Sequence, residues 1–196
     1  MHRKVAEDVA GMRPNYSTLE IGSGNLNHLA YEPTSYRYDI VEPFVELYEN
    51  SPRLSRVQNF YRDISEIRGL QFDRIISIAA FEHLCDLPSV VAKSALLLGP
   101  GGELRVAVPS EGTVLWKLGW TLTTGIEFRL RHGLDYGILM RHEHVNTAED
   151  IAGILNIFFR KTRRTVLGIC ASLSFYQFFQ CADPDTERCS RYLLMR

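Results

Sequence analysis

The run best suited to meeting a ligand is Ser17-Thr18-Leu19-Glu20-Ile21-Gly22-Ser23-Gly24-Asn25. It reads as a short strand that ends in an acid and enters a tight turn with two glycines one residue apart. Glycine has no Cβ, so such a turn can take positive φ and bring a ligand against bare backbone. Glu42 follows Gly24 by 18 residues, near the spacing of about 20 at which a strand-end carboxylate binds a ribose hydroxyl pair. Asp39 is its rival, but Asp39 falls inside the strand pattern, whereas Glu42 follows Ile40-Val41 at the end of it. Asp63 follows a third strand pattern, either as a helix cap or as a ligand contact. Together these residues describe a rim that walls in a nucleoside-containing ligand. His83 has two readings, a histidine at a helix start or a pocket residue. His142-Glu143-His144 places two imidazoles on one face of an extended chain, with no further ligand at a spacing suited to a metal. No metal site is expected. His142, His144 and Glu111, which follows the fifth strand pattern, are the candidates for a substrate-facing base.

These residues need elements to hold them. Residues 3 to 10 have the pattern of a short amphipathic helix, broken by Gly11 and Pro14. Strands are expected at the opening run, at 36–41, at 57–61, at 72–79 and at 103–108. The fourth, Phe72-Asp73-Arg74-Ile75-Ile76-Ser77-Ile78-Ala79, has the apolar, β-branched character of a parallel strand buried on both faces. Between strands one and two there is room for only one or two helical turns, at 25–30. Residues 44–49 are helical in pattern, with Phe44, Leu47 and Tyr48 on one face. A longer helix is expected at 87–98, stopped by Gly99-Pro100-Gly101-Gly102. Asn146-Thr147-Ala148-Glu149 has a capping-box pattern opening a helix to about Phe159. Two last strands, near 165–169 and 174–181, are close enough for an antiparallel hairpin. The tail from Asp183 onward carries no readable signal. Strands alternating with helices give an α/β fold with a parallel sheet and right-handed crossovers. Residues 110–145, rich in glycine and aromatics without clear period, interrupt it after the fifth strand as an inserted lid. The chain is thus expected to form one domain over 1–196, with its core at about 15–110 and 146–182.

Composition limits what this rim can serve. The chain has 196 residues, 45% hydrophobic, with a formal net charge of −1, which gives no global case for nucleic acid or an acidic membrane surface. The basic run Arg160-Lys161-Thr162-Arg163-Arg164 reads as a solvated junction. No stretch approaches the roughly 20 apolar residues of a membrane span, and no signal-type apolar run follows Met1-His2-Arg3-Lys4. Cys85, Cys170, Cys181 and Cys189 have no paired spacing. A reduced, cytoplasmic location is the expectation.

Four motifs in order carry a family resemblance. Leu19-Glu20-Ile21-Gly22-Ser23-Gly24, Asp63-Ile64, Phe72 to Ser77 leading to Phe81-Glu82-His83-Leu84, and Leu96 to Gly102 resemble the class I S-adenosylmethionine-dependent methyltransferases. The resemblance is to their small-molecule, type 11-like group, over roughly residues 15 to 110. It implies a Rossmann-like seven-stranded sheet, mostly parallel, with an antiparallel terminal hairpin and helices on both faces. It also implies S-adenosyl-L-methionine as cofactor and a small-molecule acceptor. Glu20, Gly22, Ser23 and Gly24 would border the methionine half and Glu42 the ribose. Asp63 with Ile64 would hold the adenine, and Ala79, Ala80 and their neighbours up to His83 would line the cofactor near the methyl. Leu26 stands where many members have another glycine.

The function expected is methyl transfer to a small acceptor such as a sugar or lipid-linked intermediate. The alternative of another class is a non-catalytic cofactor-binding or regulatory module of the same fold. An NAD-binding oxidoreductase is a third reading. It is disfavoured because Gly22-Ser23-Gly24 runs on into Asn25-Leu26-Asn27 without the third glycine of the dinucleotide fingerprint.

Overall fold

The computed structural model describes residues 1–13, 15–33, 37–110, 145–170 and 173–196. The expected lid and the candidate bases Glu111, His142 and His144 lie outside these residues. Seven strands form one sheet: β1 (Ser17–Ile21), β2 (Arg37–Val41), β3 (Asn59–Tyr61), β4 (Phe72–Ile78), β5 (Leu98–Pro109), β6 (Phe159–Cys170) and β7 (Leu173–Pro184). Their order is β3-β2-β1-β4-β5-β7-β6. Strands β1 to β5 pair in parallel, while β7 runs antiparallel to both β5 and β6. The order reverses between β1 and β4, and the carboxyl ends flanking such a switch point are where wound sheets bind ligands.

The two faces of the sheet are covered differently. One carries the helices α2 (Leu87–Leu97), α3 (Ala148–Phe158) and α4 (Thr186–Leu194). Alternate strand residues Leu19, Ile75, Leu104, Val106 and Phe179 pack there with Val91, Ile151 and Leu155 in one apolar core. The other face is covered by α1 (His2–Val5) and by single 3-10 turns at Ala6–Gly11 and Asn27–Ala30. A smaller core of Val5, Leu26, Leu29, Tyr38, Ile40 and Ile76 lies beneath them.

Charged groups supplement this second core. Arg74 of β4 is fully buried and donates to Asp8, to Glu32 and to the Val5 carbonyl, each at 2.8 Å. Arg105 of β5 donates to the same Val5 carbonyl at 2.9 Å and lies 3.3 Å from Asp8. His28 meets Glu32 at 2.6 Å on one side of its ring and His2 at 3.2 Å on the other. Burial pushes the Glu32 carboxyl up, but the His28 hydrogen bond and the Arg74 charge outweigh it and leave the group below its usual range. This arrangement pins residues 1–11 to the sheet.

Several elements depart from the sequence pattern. Phe44 and Leu47 do not share a buried face with Tyr48. The segment forms only a 3-10 turn at Val45–Leu47, and the two side chains are 63% and 50% exposed. Gly99 to Gly102 do not simply stop α2; they belong to the irregular start of β5, where a Cβ on Gly102 would stand 3.0 Å from three carbonyl oxygens. The capping box closes on Thr147 and Asp150, and the tail forms α4, capped by Asp185. The basic run is largely neutralised, Arg164 by Glu149 and Arg160 and Lys161 by Asp183 and Asp185. Among the described residues no helix is long and apolar enough to cross a membrane. Cys181 and Cys189 are buried, which pushes their thiols up to about 12 and about 11, whereas Cys85 is exposed.

Candidate functional site

The glycine turn leaves β1 at the switch point. The Gly22 N–H donates to the Val41 carbonyl at 2.9 Å, and the Glu42 N–H donates to the Tyr61 carbonyl at 2.8 Å, so the ends of β1, β2 and β3 form one rim. Gly22 has φ of +71°, and an added Cβ would overlap the Cβ of Ala80, so only glycine meets both demands. A Cβ on Gly24 would meet none of the described residues within 4 Å. Ser23 is buried, and its hydroxyl oxygen has no hydrogen-bond partner among the described residues. Such an orphaned oxygen beside open backbone is a contact that a polar ligand can complete.

Leu26 takes φ of +63°, the left-handed conformation that a glycine would hold easily, while its side chain is fully buried in the smaller core. A left-handed leucine carries a conformational cost of roughly 1–2 kcal/mol, which burial of the side chain offsets. After it comes only the 3-10 turn Asn27–Ala30. Among the described residues a 3-10 turn and no α-helix follows the glycine turn, so this segment does not offer the helix dipole that holds a pyrophosphate in dinucleotide-binding folds.

Glu42 is 5% exposed and spans the rim. One carboxylate oxygen accepts from the Gly24 N–H at 2.9 Å and the other from the Phe44 N–H at 3.1 Å. Each oxygen keeps a second lone pair for a hydroxyl. Asp39 lies within β2, where Arg37 and Asn59 occupy its two oxygens at 2.8 and 3.1 Å. Asp63 caps the 3-10 turn Ile64–Glu66, accepting from the Ser65 N–H at 2.7 Å and from the Ser65 hydroxyl. These bonds hold its carboxyl below the usual range. It remains exposed, and the Ile64 side chain turns into the larger core.

Glu20 is placed differently from the other acids. It is buried within β1, accepts from the Tyr38 hydroxyl at 2.8 Å, and burial pushes its carboxyl up to about 8. Near neutral pH it is therefore mostly uncharged. At the end of β4, Ala79 sits at φ of +52° with its N–H on the Ala107 carbonyl at 2.8 Å. A non-glycine residue in this region stores roughly 1–3 kcal/mol of strain, of a kind that gathers at ligand sites. Ala80 packs on Gly22, Phe81 is buried, and His83 is exposed at the rim. Among the described residues no group of three or more His, Cys, Asp or Glu is placed to hold a metal ion.

Sequence reasoning missed one rim residue, Asn146, whose side chain ties down the loop after β4. Its only signal was its place just before a helix cap.

No family model and no curated protein matches the sequence. Solved structures do match. An O-methyltransferase family protein from Burkholderia thailandensis aligns over 93% of this chain with a TM-score of 0.61 at 16% identity. This chain covers 55% of that protein, about half its length. The N-methyltransferase NodS from Bradyrhizobium japonicum aligns over 94% of both chains, with a TM-score of 0.59 at 13% identity. Magnesium protoporphyrin IX methyltransferase from Synechocystis, solved with bound SAH, aligns over 93% of this chain and 83% of its own, with a TM-score of 0.58 at 16% identity.

The fold is that of the class I methyltransferases. At these identities the likeness concerns the fold. This chain has the strand order β3-β2-β1-β4-β5-β7-β6, with the glycine turn after β1 and one 3-10 turn, Asn27–Ala30, among the described residues of its first crossover.

Proposed function

We propose that this protein binds S-adenosyl-L-methionine at the rim formed by Gly22 to Gly24, Glu42, Asp63 and Ala79 to His83, and transfers its methyl group to a small-molecule acceptor. The observation that carries this reading is Glu42, a buried carboxylate fixed at the end of β2 by the Gly24 and Phe44 N–H groups. The rim offers acceptors and bare backbone, and Lys93 lies 3.9 Å from Asp63. Such a donor set suits hydroxyls and a positive charge better than a polyanion. When bound, the cofactor supplies a methyl carbon already activated by an adjacent sulfonium.

The work left to the chain is alignment. Glu42 binds the ribose hydroxyls. Asp63 and the backbone at Ile64 border the base. The orphaned Ser23 hydroxyl and the Gly24 backbone meet the polar end of the ligand, and Glu20, uncharged beneath the turn, supports β1 without adding charge. Ala79 to His83 line the methyl side. If the acceptor reacts through a hydroxyl, a base must take its proton. Glu111, which follows Ser110, and His142 and His144, which precede Val145, are the proposed candidates. A sugar or a lipid-linked intermediate is the proposed acceptor class.

Titration calorimetry with S-adenosylmethionine tests the cofactor assignment. Glu42→Ala is expected to weaken binding about thirtyfold or more, the loss of two charge-assisted hydrogen bonds, whereas Asp39→Ala leaves it within a few-fold. The reverse pattern moves the ribose to Asp39. No binding by the unaltered protein ends the cofactor reading, and binding of NAD in its place restores the oxidoreductase. Binding without transfer to any acceptor in a panel points to the regulatory module.

A further inference from the structure

The loop that follows β4 is held mainly from outside itself. Within Phe81–Leu84 the backbone bonds are His83 N–H to the Ala80 carbonyl at 3.0 Å and a long one, 3.4 Å, from Leu84 N–H to Phe81. The stronger set comes from residues about 60 positions away. The Asn146 side-chain amide donates to the Phe81 carbonyl at 2.9 Å and to the Leu84 carbonyl at 2.7 Å, one at each end of the loop. Between them, the backbone N–H groups of Val145 and Asn146 converge on the Glu82 carbonyl at 2.9 and 3.1 Å. On its other side the loop begins where Ala80 fills the space beside Gly22.

We propose that Asn146 is a positioning residue that holds the Phe81–Leu84 loop against the glycine turn and so sets the methyl side of the cofactor rim. This rests on the cofactor reading above. The chemistry selects asparagine, because its amide carries two N–H donors in one plane and two carbonyls take one each. An aspartate of the same shape presents only lone pairs to those carbonyls. Helix α3 does not need Asn146 as its cap, since Thr147 and Asp150 form the capping box between themselves. The side chain is thereby left to the loop.

Asn146→Asp and the uncharged Asn146→Ser test the assignment, with two measurements on each. The first is amide hydrogen exchange over residues 79–86 without any ligand. Both variants are expected to exchange there about ten- to thirtyfold faster, as the loss of one to two hydrogen bonds implies, with residues 17–24 unchanged. The second is calorimetric affinity for S-adenosylhomocysteine and for adenosine. The homocysteine compound is expected to lose about tenfold in affinity while adenosine, which reaches only the Glu42 and Asp63 side, stays within twofold. Unchanged exchange in both variants overturns the clamp, and equal loss for the two ligands overturns its assignment to the methyl side. If the unaltered protein binds neither ligand, the cofactor reading has failed, and exchange alone still decides whether Asn146 holds the loop.

Discussion

The two faces of the sheet rest on different physics. Under α2, α3 and α4 the contacts are apolar and continuous, from Leu19 and Ile75 to Val91, Leu155 and Phe179. Under residues 1–11 and the short turns, an apolar core of half that extent is completed by Arg74, Arg105, Asp8, Glu32 and His28. Apolar burial is indifferent to pH, whereas a buried charge network holds only while each member keeps its partner and its protonation state. The candidate site lies on the rim where both faces end: the glycine turn runs into Leu26 of the smaller core, and Phe81 of the loop after β4 packs in the larger one.

The sharpest way to break this contrast is Arg74→Met, which removes the buried cation that Asp8 and Glu32 share and leaves only Arg105 beside Asp8 and His28 beside Glu32. Urea unfolding at pH 7 is expected to show a loss of about 3–5 kcal/mol, shrinking at low pH as Glu32, whose carboxyl the His28 hydrogen bond and the Arg74 charge hold below its usual range, takes up a proton. A loss that does not vary with pH would mean that the arginine acts only as filler. On the helical face, Leu155→Ala is expected to cost about 2–4 kcal/mol as a cavity, with the same value at pH 5 and pH 8.

Glu20 gives the third test. Its carboxyl is raised in the folded chain to about 8 from an ordinary 4.5, so the protonated form is the one that folding favours. That contribution is complete below about pH 4.5 and is lost as pH rises through about 8, so stability should fall across this window. Glu20→Gln removes the slope, leaving the variant on the order of 4 kcal/mol more stable relative to its parent at pH 8 than at pH 4. Parallel pH profiles would sink the assignment. The smallest effect belongs to the Arg164–Glu149 pair, whose acid is 70% exposed. Arg164→Ala is expected to cost about 0.5 kcal/mol by thermal unfolding, and less in 1 M salt.

What the sequence made legible follows the same division. The strand of Ile75, Ile76 and Ile78, the glycine turn, Glu42 at a strand end and the box opening α3 are local patterns, and each sits close to where those patterns put it. The charged face was hidden because its partners are distant in the chain: Arg74 meets Asp8 and Glu32 across 66 and 42 residues. Within an apolar strand pattern, Arg74 looked like one polar interruption. Phe44 and Leu47 misled for the opposite reason, since helical spacing says which residues align but not whether anything covers them. Helix α4 was missed because Cys189, Tyr192 and Leu193 are too few apolar positions to stand out in a polar tail. Asn146 was legible only as part of a helix-capping pattern, because its side-chain hydrogen bonds run to the backbone carbonyls of Phe81 and Leu84, a group that every residue type supplies.

The unequal burial of the cysteines makes the loop after β4 observable. Cys181 and Cys189 are buried with thiols held far above the pH of ordinary labelling, while Cys85, one residue past Leu84, is exposed. Thiolate availability governs alkylation, so with Cys170 replaced by serine a maleimide dye should attach selectively at Cys85. That dye would sit beside the carbonyl that Asn146 holds, and its emission would follow the loop in real time as ligands are added, before any acceptor is known.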